Sequence, residues 1–168
     1  MTTFYAQPYD IHASGFYFDD AESYLSKIGI ITNEFGDLVE EFDIQFLDGE
    51  WIDAELATAI GVNQANVLDV MAAMEGWGDH QKTLVILAAG ECGYAFDPAD
   101  DDPDGLDVDI YPVSSLRELA EHFVEEGLFG EISEQLGRYL DYDAIARDLS
   151  VDYTETSVAG ESLIYRCG

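Results

Sequence analysis

Carboxylates outnumber bases six to one in this chain, 36 Asp and Glu against 6 Lys and Arg, and that imbalance limits what it can fold into. A formal charge of −30 over 168 residues drives acidic side chains outward and opposes compaction. The counterweight is ample. With 48% of residues apolar and 12% aromatic, the chain has enough to bury, so a folded protein is expected rather than an acidic tail. Its length permits one or two compact units and excludes a large multidomain enzyme. A surface of this sign repels phosphate, which argues against nucleic acid or an anionic membrane as partner and favours basic protein surfaces or metal cations.

Cys92 and Cys167 stand 75 positions apart, unlike the dense, regular spacing of a secreted disulfide scaffold. Met1-Thr2-Thr3-Phe4-Tyr5 lacks the basic and apolar regions of a signal peptide. The longest strongly apolar run, Leu84–Ala89, falls far short of the roughly 20 residues of a membrane span. A soluble cytoplasmic protein is expected.

Periodicity predicts α+β ends with helices between. Thr3–Ala6 and Gly15–Phe18 read as strands, Asp19-Asp20-Ala21-Glu22 as a capped helix start with Tyr24, Leu25 and Ile28 on its apolar face, and Glu41–Leu47 as an alternating strand. Residues 52–90 carry helical spacing: Asp53 is placed as the cap of a first helix, Asn63 of a second with Val67, Met71 and Met74, and Asp79 of a third with Leu84, Leu87 and Ala88. Seven aspartates crowd into 97–109 between Pro98, Pro103 and Gly105, a loop or linker and the natural boundary. Beyond it, Asp107–Val113 alternates as a strand, and Ser115-Leu116-Arg117-Glu118 is a capping box before an apolar face ending at Gly127. Ile132, Leu136, Tyr139 and Leu140 suggest a second helix, Asp141 or Asp143 starts a third, and Val151–Thr156 with Ser162–Arg166 forms a closing hairpin. The expected domains are 1–50, 51–105 and 106–168.

Several constellations invite chemistry and fail on inspection. Asp100-x-Asp102-x-Asp104-Gly105 matches the start of a calcium loop, but position twelve is Tyr111 where a bidentate Glu is needed, and Pro103 interrupts it. An acidic calcium-binding protein using 97–109 stands as the alternative from a different class. Cys92 sits between glycines, yet no Lys or Arg lies between Lys82 and Arg117 to stabilise a thiolate, so a small buried thiol is expected. His12, His80 and His122 lack metal-ligand spacing, and phosphate loops and dinucleotide fingerprints are missing. No catalytic residue, metal or cofactor is assigned, and the chain is not read as an enzyme.

The charge admits a geometric use. Duplex DNA carries one charge per ~1.7 Å of axis, so 30 charges match ~50 Å of duplex, and a symmetric dimer ~100 Å. Carboxylates at such spacing can occupy a groove built for DNA.

Glu126-Gly127-Leu128-Phe129-Gly130-Glu131-Ile132, then Leu136, then Tyr139–Leu149, resembles the ArdA family of antirestriction proteins. The similarity is close from Asp107 to the end, weaker over 1–50 (Gly15–Phe18 before an acidic helix, and Glu41–Ile44), and 51–105 is not aligned with the family. It implies an elongated, curved, three-domain α+β homodimer, joined through its C-terminal domain, that mimics bent B-DNA and blocks the DNA-binding cleft of type I restriction–modification enzymes. A CRISPR effector, a nucleoid protein or another DNA-binding defence protein is the alternative target. The family's antirestriction motif falls on Leu128–Tyr142, with Leu128, Phe129, Gly130, Glu131, Ile132, Tyr139, Asp141 and Tyr142 as motif or dimer-interface candidates; core packing accounts equally well for Leu128, Phe129, Ile132 and Tyr139. Ser133 stands where the family usually has proline, and can cap the following helix instead. The carboxylates assigned to target binding are Asp37, Glu40, Asp53, Asp101, Asp102, Asp104, Glu121 and Glu125. Arg138 and Arg147 are expected in internal ion pairs.

Overall fold

Two small antiparallel sheets and seven helices make up the protein, an α+β architecture that a computed structural model describes over Met1–Gly168. The chain divides into an N-terminal unit, Met1–Leu106, and a C-terminal unit, Asp107–Gly168.

In the N-terminal unit, β1 (Thr3–Pro8) lies between β2 (Phe16–Phe18) and β3 (Phe42–Asp48). Alternation sorts the faces: Phe4 and Ala6 are buried opposite Phe18 and Phe16 of β2 and Phe46 and Ile44 of β3, whereas Tyr5 and Tyr17 meet at a tilt on the other side with ring centroids 4.8 Å apart. Gly15 is required where β2 begins. A β-carbon there would lie 2.1 Å from the Ala6 carbonyl oxygen, so only glycine lets the loop approach the strand. Helix α1 (Ala21–Ile28) is capped by Asp20, one residue later than Asp19, and the box partner is Ser23 rather than Glu22: Asp20 Oδ1 accepts from the Ser23 amide at 2.6 Å. Tyr24 packs inward, but Leu25 is 59% exposed, because one helical step turns it about 100° from the face that Tyr24 and Ile28 share.

Helices α2 (Trp51–Ile60), α3 (Val67–Gly76) and α4 (Asp79–Val85), the last running into a π-helical turn at Ile86–Glu91, pack around Leu56, Val67, Val70, Val85 and Leu87. Helix α2 starts two residues before Asp53, whose side chain turns inward and does not cap it. Asn63 likewise is not the cap of α3; its Oδ1 accepts from the Ala65 and Asn66 amides and folds the approaching turn. The Gln64 amide bridges to the sheet, donating to the Glu40 carbonyl at 2.9 Å and accepting from the Phe42 amide at 2.8 Å. Residues 1–50 and 51–106 therefore cluster as one unit, held at the start of β3 by a side chain from the α2–α3 loop.

In the C-terminal unit the sheet order is β4–β6–β5, from Val108–Tyr111, Glu161–Cys167 and Thr154–Val158. Helix α5 (Leu116–Glu125) is capped by Ser115, which accepts from the Glu118 amide; Glu118 returns its carboxylate to the Ser114 amide, one residue earlier than a standard box. Leu119, Phe123 and Ile164 form the core, with Tyr111, Val113, Leu116, Leu149 and Tyr153 around them. The helix expected over Ile132–Leu140 shrinks to one turn, α6 (Glu134–Gly137), since Gly137 is a poor helix former and no residue of the turn is buried. Ser133 caps it by accepting from the Leu136 amide, and Asp141 caps α7 (Tyr142–Leu149).

The β5–β6 turn is made by Ala159 and Gly160, both at positive φ (51° and 82°), which a two-residue hairpin turn of matching twist demands. Alanine is strained there. Ala159→Gly is expected to stabilise the C-terminal unit by about 0.5–1 kcal/mol in chemical denaturation, and an unchanged or lower stability would show the turn to be unstrained.

Candidate interaction surface

The N-terminal unit concentrates the charge. It holds 22 of the 36 carboxylates and, of the six bases, only Lys27 and Lys82. Lys82 is withdrawn from the surface: its Nζ lies 2.6 Å from Asp53 Oδ1, and the two side chains are 6% and 7% exposed. Asp53 therefore cannot meet a target, contrary to the sequence expectation; its position in the first turn of α2 faces α4 across the core. Lys27 is half-buried and donates to the Tyr17 carbonyl at 2.8 Å. With Asp53 inside, 21 side-chain carboxylates face a single lysine ammonium on this unit's exterior.

The other assigned carboxylates reach solvent. Asp37 sits in the turn of an arm over residues 31–39, closed by the bridge between Thr32 and Leu38, and Glu40 follows the arm. Asp101, Asp102 and Asp104 are exposed in the acidic segment, where Asp101 accepts from the Asp97 amide at 2.7 Å, Asp102 from the Asp104 amide at 3.0 Å, and Asp104 from Gln81 Nε2 at 2.9 Å. These carboxylates are turned onto amides, and no group of three His, Cys, Asp or Glu gathers where an ion could be held. The calcium-loop spacing is thus used to fold the segment. Glu125 is exposed, and Glu121 is half-exposed and paired with Arg117 at 3.3 Å.

Two of the four arginines are spent within the protein. Arg117 also pairs with Asp143 at 2.8 Å, and Arg166 with Asp109 at 2.6 Å while lying over the Tyr153 ring; these hydrogen bonds hold both guanidinium groups above their usual pKa. Ion pairs are expected of Arg138 and Arg147, but both are exposed and neither forms one; of the carboxylates nearby in sequence, Asp141 caps α7 and Asp143 is taken by Arg117. Neither cysteine is a free thiol, so the thiol expected at Cys92 is not present.

No protein family model and no curated protein matches the chain. No helix is long and apolar enough to cross a membrane.

The motif candidates divide by burial. Leu128, Phe129 and Tyr139 are 61%, 54% and 85% exposed, so they are not core residues; Ile132 and Tyr142 are half-buried beside a crevice between α5 and α6 that Gly130, Glu131 and Ser133 also line. Gly130 turns the chain at φ 88°, and Asp141 is committed to the α7 cap. Sequence reasoning missed a second exposed apolar group, Tyr9, Ile11, Phe35 and Leu38 in the N-terminal unit. The available signal was apolar residues among turn formers, as in Asn33-Glu34-Phe35-Gly36.

Proposed function

We propose that the chain is an antirestriction protein of the ArdA kind: an elongated, three-segment, dimeric mimic of B-DNA that occupies the DNA-binding cleft of a type I restriction–modification enzyme without catalysis. The observation that carries this reading is the exterior of the N-terminal unit, 21 side-chain carboxylates against one lysine ammonium. Its net charge of −20 corresponds to about 34 Å of duplex at one charge per ~1.7 Å. A cleft lined by Lys and Arg for DNA would meet the same potential here. The exposed Leu128, Phe129 and Tyr139 supply apolar surface for the dimer of this reading.

The test is displacement of a fluorescent duplex from a type I methyltransferase core, followed by anisotropy at two salt concentrations. Stoichiometric displacement that weakens with salt is expected; none at low salt would refute the proposal. Because the attraction is a summed field, Asp101→Asn, Asp102→Asn and Asp104→Asn together should raise the midpoint only about two- to tenfold and flatten the salt dependence. Abolition of displacement by any one of these substitutions would contradict a distributed field.

A further inference from the structure

The missed apolar group belongs to one fastened structure. The 31–39 arm turns at Asn33–Asp37, where Asn33 Oδ1 accepts from the Phe35 and Asp37 amides. Against it lies the loop after β1. Asn33 Nδ2 donates to Asp10 Oδ2 at 2.9 Å, the Glu34 amide donates to the His12 carbonyl at 2.9 Å, and His12 Nδ1 sits 2.6 Å from Glu34 Oε1. The Phe35 ring meets His12 edge-on with centroids 5.1 Å apart. Asn33 and then the His12 amide hold the Asp10 carboxyl below its usual pKa, so that clasp persists as a charged acceptor.

This bonding presents apolar side chains outward: Ile11 is 90% exposed, Phe35 69%, Tyr9 67% and Leu38 55%. An exposed apolar group on a preorganised loop pair, held by side-chain bonds rather than buried, is characteristic of a contact surface. Its rim is anionic apart from the His12 imidazole, which sits against Glu34. Glu34, Asp37, Glu40 and Glu41 are exposed around it, and no Lys or Arg occurs between Lys27 and Lys82. Apolar centre and charged rim are the anatomy of a protein contact in which the centre supplies affinity and the rim excludes water and selects sign.

We infer that this tip is an apolar anchor for a basic protein surface bearing an apolar cleft, and that it docks beside the DNA-contacting face of the target. The inference rests on the mimic reading and adds to it: a summed field gives attraction without register, and the anchor fixes where the mimic seats. An anionic membrane does not fit, since the rim repels it.

The experiment uses the full chain carrying I11S and F35S, which alter no charge, with Ile11→Ser alone as the variant whose side chain is most exposed. Displacement of duplex from the type I methyltransferase core and direct binding to that core are measured at two salt concentrations, with self-association followed by sedimentation velocity. The double variant is expected to raise the displacement midpoint about tenfold at both concentrations with the salt slope unchanged, and Ile11→Ser to shift it in the same direction. A midpoint equal to the parent's overturns the anchor and leaves the mimic standing. A parent that binds the core without releasing duplex, and loses that binding on double substitution, ends the mimic reading and keeps the anchor. No binding by the parent overturns both. Conversion of a dimer to monomers by the double variant overturns the anchor by showing the tip to be a contact between copies.

Discussion

Lys82→Met is expected to destabilise the N-terminal unit by about 3–5 kcal/mol, because it leaves the Asp53 carboxylate buried without its counterion. The two side chains come from α4 and α2, and each is almost fully enclosed. Placing either charge in this interior alone costs several kcal/mol, and the 2.6 Å contact is what offsets it. Asp53→Leu alone should cost a similar amount by stranding the ammonium. Combined, Asp53→Leu and Lys82→Met should restore most of the loss, since a packed apolar pair needs no compensation. A double-mutant cycle in chemical denaturation measures this directly. Simple additivity of the two losses would mean that packing, not charge pairing, sets the cost. The pair also separates stability from function. Below its melting point, Asp53→Asn should displace duplex with the parent's midpoint and salt slope, in contrast to Asp101→Asn with Asp102→Asn and Asp104→Asn.

What the sequence made legible follows from how local each signal is. Strands β1, β2 and β3 and helix α5 announce themselves through periods of 2 and 3.6, which depend only on neighbours along the chain. Caps shift by one to three residues, as at Asp20 and Asn66, because several polar residues compete for the same amides. The role of Asp53 was illegible for a different reason. An acidic residue at a helix start reads as a cap or a surface charge, and only the folding of Lys82 against it, 29 positions away, makes it a core residue. The tip at Ile11 and Phe35 is equally non-local: two segments that read as plain connections are joined by Asp10, His12, Asn33 and Glu34. Among the assigned carboxylates, those in loops stay at the surface because nothing basic lies near enough to draw them in.

Phe123→Ala is expected to unfold the C-terminal unit at room temperature. Its ring, 4% exposed, meets Tyr111 at 5.4 Å and Tyr153 at 5.6 Å, both edge-on, and packs with Leu119 and Ile164. Removing a buried phenyl costs about 3–5 kcal/mol, and a unit of this size has a core worth about that much. Burial raises the Tyr111 pKa, so its phenol stays neutral within that ring cluster and supplies no alternative ionic contact once Phe123 is gone. Hydrogen exchange read by segment should show β4, α5 and β6 losing protection. Retained protection there would mean that Tyr111 and Tyr153 close over the cavity. The motif segment Leu128–Tyr142 leaves the end of α5 with few buried residues of its own, so its geometry depends on that helix staying docked. Under the proposed function, Phe123→Ala should abolish dimerisation and with it the stoichiometric displacement of duplex. Phe123→Leu, which keeps most of the buried volume, should lower stability less and leave displacement intact. Loss of displacement in a Phe123→Leu protein that remains folded would place Phe123 itself, rather than the fold it supports, in the path to function.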